Sequence, residues 1–139
     1  MKLLTALALV SLAVAGAMVA LSASLYGPDD PYFLWGVTLL ALPPAAIGLL
    51  LLAPWPPIRT AAGWLALFPG AWWLVAAGAD LLGGMASLVA GTGQQDLAGV
   101  AVKVAVEGLL AALDIAIFWA AVLRDRGSRT HSPPRSVAA

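Results

Sequence analysis

Lys103, Glu107 and Asp114 are the residues whose types and spacing suit them to chemistry, because all three fall on one face of the last long apolar stretch of the chain. At about 100° per residue, Lys103 and Glu107 stand about 40° apart around a helix, and Glu107 and Asp114 about 20°. Along the axis the two steps are about 6 Å and about 10 Å. Ionisable groups in hydrocarbon are costly, so each calls for a partner, water or a function. An i,i+4 contact lets Lys103 satisfy Glu107, although in the less favourable order for such a pair. Asp114 is too far along the axis for Lys103 to neutralise. It is expected to carry a proton or to meet a group on another helix or subunit. Asp80, in the preceding apolar stretch, is the natural second acid, expected to share a depth with Glu107 and to leave Asp114 below both. A line of carboxylates of this kind can relay protons or hold a cation. Used structurally, it would hydrogen-bond Thr38, Trp72, Trp73, Gln94 or a partner protein. Lys103 is the sole basic residue in any span, which leaves nothing there to hold a multiply charged anion.

The elements that must position these groups are membrane helices. Hydrophobic residues make up 62% of the chain and charged residues 10%, with mean hydropathy +0.95. A water-soluble globule of 139 residues needs far more polar surface. Four windows, about 3–25, 33–53, 61–82 and 97–123, reach the roughly 20 helical residues that span hydrocarbon. Short connections make sequential neighbours antiparallel. The expected fold is thus an all-α integral membrane protein, a four-transmembrane-helix antiparallel bundle over residues 1–123 with a basic tail over 124–139. Met1-Lys2 and the small residues of Ala13–Ala17 resemble a secretory leader. The apolar run nevertheless continues to Leu25, longer than the usual h-region of about 7–15 residues, so an uncleaved first helix is expected.

Charge orients the bundle. Lys2 precedes the first span, Asp29 and Asp30 occupy the first connection, Arg59 the second, and Asp96 the third. Arg124, Arg126, Arg129 and Arg135 follow the last span. Basic residues flanking spans stay on the cytoplasmic side, so this alternation predicts both termini in the cytoplasm of a multi-pass cell-membrane protein. The four tail arginines are expected to meet anionic lipid headgroups. The tail is short and lacks aromatics, and nucleic acid is not an expected partner.

Local signals refine the helices. Gly27-Pro28-Asp29-Asp30-Pro31 reads as a turn with side chains able to cap the second helix. Pro43-Pro44 and Pro69 remove backbone donors inside spans, which predicts kinks and unpaired carbonyls at Leu39, Leu40 and Leu65. Residues 83–90 are expected either to extend the third helix, drawing Asp80 deeper, or to form a re-entrant piece. Gly16, Ala20 and Ser24 on the first helix, and Ala112, Ala116 and Ala120 on the fourth, are candidate small-residue packing ridges.

Several chemistries lack their residues. The chain has no cysteine, and its single histidine, His131, lies in the tail. No zinc, haem or iron–sulfur ligand set results, no cofactor is expected, and no serine has a local base. The glycines of 83–93 follow no strand and do not form a nucleotide fingerprint. These features together predict a non-enzymatic integral membrane subunit or accessory protein, within a larger complex or a homo-oligomer. Its partners would be membrane lipids and other membrane subunits or copies of itself, with the intramembrane acids used in packing. The alternative is a small oligomeric proton- or cation-coupled transporter with Asp114 and Glu107 on the pathway.

Overall fold

Four apolar helices make up the computed structural model, which describes residues 2–27, 29–91 and 97–124. They are α1 (Lys2–Tyr26), α2 (Pro31–Leu52), α3 (Pro56–Val89) and α4 (Leu97–Leu123), each long and apolar enough to cross a membrane. The chain is therefore an all-helical, multi-pass membrane protein. Gln94, Asp96, His131, Arg126, Arg129 and Arg135 lie outside the described residues. Arg124 is the last described residue and stands exposed just past α4.

Helix boundaries follow from local chemistry. Asp30 caps α2, its Oδ1 accepting the Tyr32 N–H at 2.8 Å, and Pro31 occupies the first turn, where a missing N–H costs nothing. Pro56 starts α3 in the same way, five residues before the expected start at 61. The turn between α2 and α3 is tied by Arg59, whose Nε–H donates to the Ala53 carbonyl at 2.7 Å. At its other end α3 passes residue 82 and runs unbroken to Val89, a length of 34 residues. Residues 83–89 thus extend the helix and form no re-entrant piece. Neither Gly83 nor Gly84 breaks it, because surrounding residues keep the ladder and a glycine costs a helix only about 1 kcal/mol.

The prolines are absorbed in two ways. Ahead of Pro43-Pro44, α2 widens into a π-turn over Val37–Ala41, and the Leu42 N–H reaches back five residues to the Val37 carbonyl. α3 continues helically through Pro69. α4 ends in a second π-turn, Trp119–Leu123, closed by the Arg124 N–H on the Trp119 carbonyl.

Two hairpins account for most of the packing. In the first, α1 approaches α2 at Gly48, where an added methyl group would stand 2.8 Å from Leu12 and 3.0 Å from the Ala8 carbonyl. One turn on, the Ser11 hydroxyl donates to the Pro44 carbonyl at 2.8 Å. Near the other end, Ser22 packs over Gly36. In the second hairpin, α3 meets α4 through Gly63 on Ala121 and Val122, Gly70 on Asp114, and Gly84 on Val100. Both sets of contacts run antiparallel. α1 also touches the last turns of α4, which brings the hairpins together.

The small-residue ridges differ from those expected. Gly16, Ala20 and Ser24 are exposed, and α1 instead buries Ala8, Ser11, Ala15 and Ser22. On α4, Ala112 is exposed and only Ala120 of the expected three is buried; the inward face is Glu107, Ala111, Asp114 and Ile117. In chains this rich in alanine, both faces of a helix offer small residues, and contacts with neighbours select between them.

Lys2, Arg59 and Arg124 fall at one end of the bundle, here the basic end, and Asp29 and Asp30 at the far end. The dry core sits toward the basic end, formed by Ala8, Ile47, Leu51, Ala62, Ala66, Ile117 and Ala121. Polar groups occupy the rest of the α3/α4 seam.

Candidate functional site

The site is built on a seven-residue repeat shared by two helices. Gly63, Gly70, Ala77 and Gly84 follow one another at seven-residue intervals on α3, and Val100, Glu107, Asp114 and Ala121 do so on α4. A seven-residue spacing keeps each series on one seam of its helix. Small residues on α3 let the backbones approach closely, so the α4 acids are held against glycine and alanine. A methyl group built on Gly70 would lie 3.0 Å from Asp114 Cβ. By the same register Ala77 stands opposite Glu107.

At the far end of this seam, Lys103 Nζ pairs with Asp80 Oδ2 at 2.7 Å, while Glu107 Oε1 lies 4.0 Å away. The expected i,i+4 pair is therefore the weaker of two contacts, and the principal partner of Lys103 is Asp80 across the helix interface. Antiparallel register brings Asp80 beside Lys103, which sequence spacing within α4 does not reveal. The Lys103 side chain is 61% exposed and that of Asp80 30%. Glu107 is turned inward, 6% exposed, and its Oε2 is buried without a hydrogen-bond partner.

Asp114 stands apart from this cluster. It lies about 10 Å farther along α4 than Glu107 and about 15 Å from Arg124, at mid-height in the bundle. Only 6% of it is exposed. It makes no hydrogen bond and no ion pair among the described residues. Its surroundings include a void of about 10 Å³ at the meeting point of all four helices, walled by Met18 of α1, Pro44 of α2 and Trp73 of α3. That is the room of about one water-sized sphere.

Of the groups expected to meet the acids, Trp73 lines this void, whereas Thr38 and Trp72 are exposed. Asp80, Lys103 and Glu107 come together, and Asp114 forms the separate centre that its spacing suggested. The glycine seam of α3 is the feature of the site that sequence reasoning missed. Its signal is the seven-residue interval, visible in the sequence once α4's acids are read at the same interval. Among the described residues no group of three or more His, Asp or Glu side chains is placed to hold a metal ion. Comparison with family models, with curated proteins and with solved structures gives no match.

Proposed function

We propose that the chain is a small, non-enzymatic membrane carrier that exchanges a proton or a cation at Asp114, with Glu107 on the route from the far end. One observation carries this reading: Asp114 is an almost fully buried acid at mid-height, without a partner among the described residues, facing a void shared by four helices. An ionisable residue kept in that position costs stability, and a binding role accounts for its retention. The exposed Asp80–Lys103 pair, inward-facing Glu107 and Asp114 form a descending polar series on one seam. Beyond Asp114 the seam closes on Ile117, Ala121 and Val122, so exchange with the basic end requires that core to open. The gathering of Lys2, Arg59 and Arg124 supports a cytoplasmic basic end and therefore both termini in the cytoplasm. Arg124 and the tail arginines beyond it would face anionic headgroups on that side.

The test is proton flux into proteoliposomes after a pH jump. Wild-type protein should raise flux above that of empty liposomes, and Asp114→Asn should abolish the increase while helical content and oligomer size stay unchanged. Equal flux in the two proteins would sink the proposal.

A second reading, a subunit or accessory protein of a larger assembly, is supported by the Asp80–Lys103 pair. The pair lies partly open on the flank of the α3/α4 hairpin, where a partner helix could engage it. Native mass spectrometry of protein extracted in mild detergent tests this reading: a heteromer of fixed composition, dissociated by Asp80→Asn, is the expected result. A lone homo-oligomer leaves the carrier reading.

A further inference from the structure

Between α2 and α3, at the height of their prolines, an apolar cleft of about 600 Å³ opens on the side of the bundle. Leu39, Phe68 and Trp72 at its mouth are 64%, 78% and 67% exposed, so in a bilayer the mouth meets lipid tails. Leu40, Pro44, Pro69 and Trp73 wall both this cleft and the void beside Asp114. The lateral opening and the unpartnered acid are thus neighbours across one layer of side chains. The volume is within the roughly 300–1,000 Å³ of small-molecule sites.

We propose that the cleft is a binding site for a lipophilic monocation that enters from the bilayer, its apolar body in the cleft and its charge drawn toward the Asp114 carboxylate across the wall that the cleft shares with the void. The inference rests on the reading of Asp114 as an exchangeable group and adds the substrate class. Charge complementarity selects the occupant. Among the described residues, Asp114 is the sole acid at either cavity and no basic residue lines them. Lys103 is about 16 Å away along α4 and is occupied by Asp80. A zwitterionic phospholipid would leave its phosphate without a partner, whereas a single positive charge finds one. Trp72 and Trp73 line the cleft, and indole attracts cations most strongly among the aromatic side chains. The occupant is retained by apolar burial in the cleft and oriented by one charge pair.

The experiment uses the full chain in lipid nanodiscs, with tetraphenylphosphonium as the probe, tetraphenylborate as an anion of the same shape, and empty nanodiscs as the blank. Saturable binding of the cation and none of the anion is the expected result. Asp114→Asn should weaken cation binding roughly tenfold or more, the loss that accompanies removal of a charged partner, and Asp114→Glu should recover part of it. Ala46 lines the cleft but not the void beside Asp114, so Ala46→Phe should also weaken binding while proton flux in the absence of the probe persists. Equal binding of cation and anion, or undiminished cation binding in Asp114→Asn, would overturn the inference. If wild-type protein carries protons but binds no cation, the inference fails and the carrier reading stands. If Asp114→Asn leaves proton flux intact, the carrier reading itself fails.

Discussion

The acids along the α3/α4 interface meet opposite circumstances. Asp80 and Glu107 gather around Lys103 at the far end of α3 and α4, where one cation, partly open to the outside, is shared by two carboxylates and lies nearer Asp80. Asp114, on the same seam as Glu107, is buried among apolar side chains and balanced by nothing among the described residues. Position on the seam is therefore not what separates an acid with an ionic partner from one without. The separation comes from whether the fold supplies a cation. In a medium that solvates charge poorly, an acid left without one is costly to keep charged.

The largest expected effect comes from neutralising the two sites in turn. Proton flux should fall to the level of empty liposomes in Asp114→Asn, whereas Asp80→Asn should keep most of it. Comparable losses in both would erase the distinction between the sites. The next effect in size concerns the surface against which α4 is held. At Gly63 a methyl group would stand 2.9 Å from both Ala121 and Val122, so Gly63→Ala should destabilise the α3/α4 hairpin by about 1–3 kcal/mol, as overpacking does. Unfolding in mixed micelles would measure it, and a stabilised protein would mean the seam is looser than described. A smaller effect is expected from the far-end cluster. Lys103→Met should lower the thermal midpoint by leaving two acids unbalanced, and adding Asp80→Leu should restore part of it. No recovery in the double variant would show that the pair is not the packing element. The smallest effect is expected at Gly16, which has no neighbour within 4 Å of an added methyl group: Gly16→Ala should stabilise by at most about 1 kcal/mol. A clear loss there would reveal a neighbour that the isolated bundle lacks, such as a second copy.

The spans and the separation of Asp114 from Lys103 were legible in the sequence because hydropathy and helical spacing are local properties. Lys103 shows where local reasoning stops. Its i,i+4 neighbour Glu107 was the visible partner, yet the register of α3 against α4 delivers Asp80 closer, at 2.7 Å. The ridges of α1 and α4 failed for a related reason: with apolar residues on every face, composition does not say which face a helix turns inward. The end of α3 was ambiguous because residues 83–89 carry small and apolar side chains compatible with either outcome, and continuity of backbone hydrogen bonding decided it.

The length of α3 has a mechanical consequence. Its 34 residues extend about 51 Å, whereas the 22 residues of α2 extend about 33 Å, close to the thickness of a bilayer's hydrocarbon layer. Upright, α3 would lift exposed Leu81, Leu82, Met85, Leu88 and Val89 out of the lipid. Hydrophobic mismatch of this size is relieved by tilting the helix or thickening the surrounding bilayer. Because α2 is already matched, tilt of α3 changes the angle between the two. A bilayer of changed thickness therefore loads α3 and α2 unequally.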